Sequence, residues 1–318
     1  MRKKWEKIPI SIANHNDVEA IAPVIISASR ATDIPAFHAE WFIRKLRDGY
    51  CGWKNPFNQK RQYVSFAKAR VIVFWTKNPA PIMPYLDELD DMGINYYFQV
   101  SLNDYEAEGW EPGLPPLLER IEAFAALAAR TATERVIWRY DPLLLAEGLT
   151  EGHLAEKVQR VGDTLHPFTK KLVFSFADIA EYRRVQSRLA AAGVNYVPFT
   201  PETMHSMAAR IAEANESWGL ELATCGEDVD LSDLGVQHNR CIDAALMRSL
   251  FPKDKALQDF LGAPKSMLPG FNQNDSWQDK LKDTGQRKAC GCVVSKDIGA
   301  YGTCRHGCLY CYAGGSGN

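Results

Sequence analysis

The sequence predicts an α/β protein built on a parallel sheet with crossover helices. Three observations carry this reading. Apolar runs of strand length alternate at least five times with helical patterns, the mark of repeated βα units. Runs such as Val71-Ile72-Val73-Phe74-Trp75 are continuously apolar, as in strands buried on both faces. Nearly every run empties into polar or charged residues: Arg30 and Asp33, Lys77 and Asn78, Ser101 and Asn103, Arg139 and Asp141, Asp178. Right-handed crossovers wind such a chain into a barrel or an open doubly wound sheet. The polar exits favour the barrel, whose active site is built at the C-terminal strand ends. The general polarity of loops explains part of the same pattern.

In chain order, residues 1–22 show no clear periodicity and read as an extension. Val24–Ser29 is the first strand. The helix Ala36–Asp48 follows, with Phe37, Trp41, Ile43 and Leu46 apolar and Gly49 suited to its C-terminal cap. Tyr50–Lys60 reads as a loop, and its Cys51 as a small core residue. After Val71–Trp75 come the helix Pro81–Met92 and the strand Tyr96–Leu102. The helix Pro115–Arg130 carries Leu117, Leu118, Ile121, Phe124 and Leu127 on one stripe of 3.6-residue period. Strands at Arg135–Trp138, Leu172–Phe176 and Leu220–Ala223 alternate with helices at Glu151–Leu165, Ile179–Ala192 and Pro201–Trp218. From Asp228 to Lys288 prolines and glycines interrupt the pattern. Ile242–Leu250 is the clearest element there, and Phe251–Trp277 reads as a lid or surface segment. A short strand near Ile298 feeds the C-terminal stretch. The implied division is 1–23 extension, 24–227 barrel, 228–289 accessory region and 290–318 final strand and loop.

The chain has 318 residues, 46% apolar and 24% charged, with net charge −2. That suits one large α/β barrel or two ordinary domains and gives no global pull toward nucleic acid. The basic start, Met1–Glu6, is followed by no apolar run of signal-peptide type, and no segment reaches the ~18 apolar residues of a membrane span. The expectation is a cytoplasmic protein with no membrane partner. Its eight cysteines then point to metal rather than disulfides.

The densest chemistry is Cys304-Arg305-His306-Gly307-Cys308-Leu309-Tyr310-Cys311, a C-x3-C-x2-C pattern with an aromatic before the last cysteine. Three thiolates on one loop suit a [4Fe–4S] cluster with one iron left open. A zinc loop is the alternative, but a closed zinc site needs a fourth ligand. Cys225, Cys241, Cys290 and Cys292 could complete a second site, an auxiliary [4Fe–4S] cluster or a structural zinc. That requires Val293–Ile298 to be bent or mostly loop. Fully extended, it would span about 20 Å at ~3.3 Å per residue and hold Cys292 at the far end of the barrel.

The octet resembles the cluster motif of the radical S-adenosylmethionine (radical SAM) superfamily. The resemblance implies a [4Fe–4S] cluster on Cys304, Cys308 and Cys311, with SAM chelating the open iron. It further implies one-electron reductive cleavage to a 5′-deoxyadenosyl radical, with an electron donor of flavodoxin or ferredoxin type. Such domains are partial (β/α)6 TIM-like barrels whose cluster loop follows the first strand. Here the loop comes last, so the resemblance implies a circularly permuted barrel with an irregular accessory region. Trp75-Thr76-Lys77-Asn78, Gln99-Val100-Ser101-Leu102, Glu111-Pro112 before Arg120-Ile121-Glu122, and Arg139-Tyr140-Asp141-Pro142 resemble the spore-photoproduct-lyase-like branch. Over about residues 24–313 the chain resembles a bacterial domain-of-unknown-function family; Ile26-Ser27-Ala28-Ser29-Arg30 and Asp297-Ile298-Gly299-Ala300-Tyr301 are typical of it.

By position, Lys77, Ser101, Arg139 and Tyr310 are candidates for SAM contacts, with Lys77 and Arg139 expected to face the three-cysteine loop. Arg30, Asp33 and Asp141 are candidates for substrate binding, and an Arg30–Asp33 salt bridge is the plainer expectation for the first two. Two functions compete. One is a radical SAM enzyme acting on a hydrogen-bearing carbon or on a lesion. The other is a non-catalytic, zinc-stapled scaffold or binding module.

Overall fold

The computed structural model describes residues 5–12, 15–262, 281–287 and 289–314. Of the segment read as a lid, Phe251–Trp277, residues 263–277 lie outside them. The N-terminal stretch is no featureless extension: β1 (Glu6–Ile12) and β2 (His15–Ala22) form an antiparallel hairpin. Its weak periodicity has a physical cause, since β1 leaves most of its residues partly or fully exposed. β3 (Ile25–Ala28) is wholly buried.

The single helix expected over 36–48 is two: α1 (Ile34–Phe37) and α2 (Ala39–Asp48). Asp33 caps α1 by accepting from the Ala36 N–H, and Gly49 at φ +79° ends α2. The loop expected at 50–60 is largely strand: β4 (Tyr50–Lys54) pairs antiparallel with β5 (Arg61–Ser65), and β5 runs parallel to β2. β1, β2, β5 and β4 make a small four-stranded sheet. Cys51 is fully buried in it.

β6 (Val71–Thr76) follows, then a 3-10 turn Ala80–Tyr85 and α3 (Leu86–Asp91), in place of one helix from Pro81. Pro81 and Pro84 supply no N–H for a continuous α-helical ladder. β7 (Asn95–Ser101), α4 (Leu117–Thr131), β8 (Val136–Leu143) and β9 (Leu145–Ala146) come next. α5 (Glu151–Leu165), β10 (Lys171–Phe176), α6 (Arg183–Ala191) and β11 (Tyr196–Val197) follow in turn. The run continues through α7 (Pro201–Asn215), β12 (Glu221–Thr224), β13 (Gln237–His238), α8 (Ala244–Leu250) and α9 (Lys255–Leu261). β14 is only Lys296–Asp297, so Val293–Ile298 is mostly loop rather than one continuous strand.

The main sheet has eight strands in the order β13-β12-β10-β8-β7-β6-β3-β14. Every pairing in it is parallel. The last strand therefore lies beside the first of the α/β series, with Lys296 opposite Ile26 and Asp297 opposite Ser27. Asp297 fixes this junction by accepting from Ser27 Oγ (2.6 Å), Ser29 Oγ (2.8 Å), and the Arg30 and Gly299 N–H groups (2.8 and 2.9 Å).

Strand residues alternate between two cores. Ile26, Ile72, Phe74, Phe98, Trp138, Leu172 and Phe174 share one core with buried residues of helices α2, α4, α5 and α7. Ile25, Val71, Val73, Tyr97, Ile137 and Val173 pack against Ile242, Met247, Leu257, Leu261, Leu281 and Val293. The region from 228 onward reads from sequence as poor in core, yet its described residues within 241–261 and 281–293 cover the second face of the sheet. Its apolar residues are too irregularly spaced to announce this. Asp254, just before α9, pairs with Arg70 (2.8 Å) and accepts from Asn95 (2.6 Å), at the N-terminal ends of β6 and β7. Among the described residues no helix is long and apolar enough to cross a membrane.

Candidate functional site

The C-terminal ends of the parallel strands open into one cavity of about 520 Å3. Ser29 after β3, Lys77 after β6, Ser101 ending β7, Asp141 in β8, Ser175 in β10 and Cys225 after β12 all line it. Arg30, Asp33, Arg139 and Tyr310 line it too, as do Cys241, Cys290, Cys292, Cys304, Cys308 and Cys311. Every residue singled out from the sequence as a candidate ligand or contact thus reaches the same space. Continuous parallel strands explain it, because they deliver all their exits to one edge of the sheet.

The three-cysteine loop is bolted down by backbone and side-chain bonds. Gly113 N–H donates to the His306 carbonyl (2.8 Å), and Leu309 N–H to the Trp110 carbonyl (3.0 Å). Gly113 tolerates no side chain there: a Cβ would lie 2.5 Å from the Arg305 carbonyl oxygen. Gly307 adopts φ +68°, which lets the loop turn between Cys304 and Cys308. Arg188 of α6 donates to the carbonyls of Cys308 (3.3 Å) and Cys311.

Beneath the loop lies a buried polar network. Lys77 Nζ donates to Glu111 Oε1 (2.7 Å) and to Tyr310 Oη (3.0 Å). Tyr310 Oη donates to Glu111 and accepts from Asn103 Nδ2 (3.0 Å). Arg120 Nη1 stands 3.6 Å from the other Glu111 oxygen, both side chains being 2% exposed. Burial would lower the Lys77 pKa, but the Glu111 charge raises it, so Lys77 stays an ammonium. Burial, reinforced by Glu111, pushes the Tyr310 phenol well above its ordinary value, so it remains a neutral donor. Cys308 is pushed up to about 12 by burial, with the nearby Lys77 charge pulling the other way. His306 Nε2 sits 2.8 Å from Asp33 Oδ2, and the same oxygen accepts from the Lys77 N–H (2.8 Å). The expected Arg30–Asp33 salt bridge is not formed: Asp33 serves His306, the Lys77 backbone and the α1 cap. Arg30 lies instead over the Trp75 ring at 5.2 Å.

Arg139 lines the cavity together with the three-cysteine loop, and its bonds go to the other side of the site. It bonds Asp141, donates to Gln99 Oε1 (3.2 Å), and places Nη1 3.0 Å from Cys241 Sγ. Burial would raise the Asp141 carboxyl, but Arg139 and the Ser175 hydroxyl hold it below the usual carboxylate value. Cys225 Sγ and Cys241 Sγ are 3.4 Å apart. Cys241 contacts Cys292 in turn, and Cys292 contacts Cys290. Among the described residues, no three His, Cys, Asp or Glu side chains stand preassembled in metal-ligating geometry.

Several residues at the cavity escaped sequence reasoning. Glu227 is pushed up to about 7 by burial, against the bond it accepts from the Phe176 N–H. Tyr182 stacks on Tyr312 and accepts from Arg287. Glu111 was legible only as part of a family phrase, and His306 only as filler inside the cysteine motif. Arg188 sits on a helix whose periodicity describes its packing, not its loop contacts.

No curated protein matches the sequence. Among solved structures, the crystal structure of a putative alpha-L-fucosidase from Bacteroides thetaiotaomicron VPI-5482 is 9% identical, covering 62% of this chain and 75% of its own, at a TM-score of 0.26. That likeness is too low to bear on fold or activity. The family scan is decisive instead: residues 25–313, the span from β3 through the cysteine loop, match the model "Domain of unknown function (DUF1848)", and the chain belongs to that family.

Proposed function

We propose that the protein is a radical SAM-type iron–sulfur enzyme that reductively cleaves S-adenosylmethionine to act on an organic substrate. The observation that carries this is the meeting of Cys304, Cys308 and Cys311 with polar strand ends around one cavity. A volume of about 520 Å3 lies in the range of small-molecule sites. In this reading the three thiolates hold a [4Fe–4S] cluster, which when bound supplies an open iron for SAM and one electron for its sulfonium.

The donor set fits. Three cysteines share a loop tied down by hydrogen bonds to Gly113, Trp110 and Arg188. Lys77 and Tyr310 then serve chiefly to position the loop, through Glu111. Ser101, Arg139 and Asp141 line the same cavity and would shape its cofactor end. The strand order, with β14 outside β3, we read as a partial TIM-like barrel whose usual first strand stands at the chain's end, a circular permutation. An external one-electron donor of flavodoxin or ferredoxin type completes the reaction.

The test is anaerobic purification, iron and sulfide analysis, then incubation with SAM and a reductant. We expect oxygen-sensitive iron and sulfide, and 5′-deoxyadenosine that each of Cys304→Ala, Cys308→Ala and Cys311→Ala abolishes. Zinc alone at the loop, or SAM cleavage surviving in all three variants, would overturn the reading in favour of a zinc-stapled scaffold or another chemistry.

A further inference from the structure

Four more cysteines approach the same cavity from three separate stretches of chain. Cys225 follows β12, Cys241 precedes α8, and Cys290 and Cys292 flank Gly291. Their sulfurs touch in succession: Cys225 to Cys241 at 3.4 Å, Cys241 to Cys292, and Cys292 to Cys290. We propose that Cys225, Cys241, Cys290 and Cys292 form a second metal centre, closed by four thiolates and charge-balanced by the buried guanidiniums of Arg30 and Arg139.

Isolated cysteines bury one at a time as small hydrophobes. Packing alone gives no reason for four of them to converge from positions spread over 68 residues of sequence (292 − 225 + 1). A tetrahedral centre with metal–sulfur bonds of ~2.3 Å separates its sulfurs by about 3.8 Å. The observed contact of 3.4 Å is therefore close to what a single tetrahedral ion needs, whereas a cube, with each thiolate on a different iron, would need the sulfurs to spread.

Charge gives an independent argument. Arg139 has its Nη1 3.0 Å from Cys241 Sγ, and its side chain is 4% exposed. Burial works against the Arg30 charge, while Cys292, Cys241, Asp297 and Cys290 lie close enough to favour it, and its Nη2 is buried with no hydrogen-bond partner among the described residues. Asp297, the nearest carboxylate, is already occupied by two hydroxyls and two backbone N–H groups. Asp141 pairs with Arg139 and Asp297 lies near Arg30, but Arg30 Nη2 has no acceptor, and a thiolate centre would supply the partner that this buried group lacks. Four thiolates around a divalent ion, or around a [4Fe–4S]2+ core, carry a net charge of about −2.

The surrounding polar hydrogens point the same way. The Ile242 N–H and Asn239 Nδ2 aim at Cys292 Sγ and Cys241 Sγ, both at 3.4 Å, the kind of support that tunes thiolate ligands. Tyr97 Oη and Gln99 Nε2 both donate to the Cys241 carbonyl (2.7 and 3.1 Å), which fixes that ligand to the sheet. The segment bearing Cys292 is fixed to the one bearing Cys241 through Val293 N–H to the Ile242 carbonyl (3.0 Å). With four thiolates the centre has no open position, so it binds neither SAM nor substrate directly. It staples the segments bearing Cys241 and Cys290–Cys292 to the sheet beside the cavity.

Metal content separates this centre from the three-cysteine loop, because the measurement needs no turnover. The full chain carrying Cys304→Ala, Cys308→Ala and Cys311→Ala together is purified anaerobically and analysed for iron, sulfide and zinc. We expect about one zinc, or about four iron with matching sulfide, to remain per chain. Adding Cys241→Ser or Cys292→Ser should remove it, with far-UV circular dichroism reporting whether the chain stays folded. A loop-deleted chain with no bound metal overturns the proposal whatever happens to the serine variants. So does full metal retention in both serine variants. Which metal is found distinguishes the zinc from the iron–sulfur form of the same four-thiolate site, and leaves the assignment at Cys304, Cys308 and Cys311 to its own test.

Discussion

Replacing Glu111 with Gln keeps the shape of the side chain and deletes one buried charge that two cations share. Lys77 Nζ is 2.7 Å from Glu111 and 15% exposed; Arg120 Nη1 is 3.6 Å away and 2% exposed. Removing one member of a buried ion pair costs about 3–5 kcal/mol, because the stranded charge keeps its desolvation penalty. The lower end applies here. Arg120 still donates to the Asn103 and Pro115 carbonyls (3.1 and 3.0 Å), and Lys77 still reaches Tyr310. The expected loss is about 3 kcal/mol, or roughly 6–12 °C in Tm at ~2–4 °C per kcal/mol. Thermal and urea unfolding at pH 7 measure it. Adding Lys77→Met should return part of the loss, since the second variant removes one stranded cation. A loss below ~1 kcal/mol, or strictly additive Glu111→Gln and Lys77→Met effects, would refute the claim that this carboxylate carries the network under the cysteine loop.

Three further predictions rest on single contacts. Gly299→Ala places a Cβ 1.8 Å from Ser29 Oγ and 2.6 Å from Ser29 Cβ, which the Asp297 junction cannot relieve by rotation; denaturant unfolding should show a loss of about 1–3 kcal/mol. Arg188→Met removes the donors to the Cys308 and Cys311 carbonyls, and competition with a chelator should show metal at that loop held about tenfold less tightly, with the fold intact. Lys296 has its pKa lowered from 10.5 to about 8, chiefly by burial and against the charges of Asp297 and Cys51. Between those values the unfolded chain holds the proton and the folded chain does not, so the Lys296 contribution to stability rises with pH from about 8 to 10.5. Cys51, pushed from 9.0 to about 12 by burial, acts in the opposite sense above pH 9, so the check is wild type minus Lys296→Met. A difference that is flat across that window would refute the assignment.

Local chemistry declared the α/β series. Buried parallel strands are largely apolar, so Val71–Trp75 was visible as an uninterrupted run, and Tyr96–Leu102 and Leu172–Phe176 as runs broken only by Gln99 and Ser101 and by Ser175. α5 was legible to the residue, because Thr150 caps its start and a stripe of Leu154, Val158, Val161 and Leu165 faces the core. The three-cysteine loop was equally plain, since its ligand candidates are neighbours in sequence. The N-terminal hairpin was not legible, because half-exposed strands lack a strong apolar period and depend on partners such as β5.

What tertiary structure alone decided is which distant residues share a space. Nothing local to Glu111 marks it as the carboxylate under Tyr310 and Lys77; that follows from the loop after β7 folding beneath a segment almost two hundred residues later (310 − 111 = 199). The pairing of β14 with β3 and the choice of Arg139 for Cys241 over the three-cysteine loop are likewise facts of register and packing. A sequence specifies each strand by the burial of its own side chains. The meeting of strand ends, charges and thiols is set by how the sheet orders those strands, and that order minimises exposed apolar surface over the whole chain rather than along any one stretch.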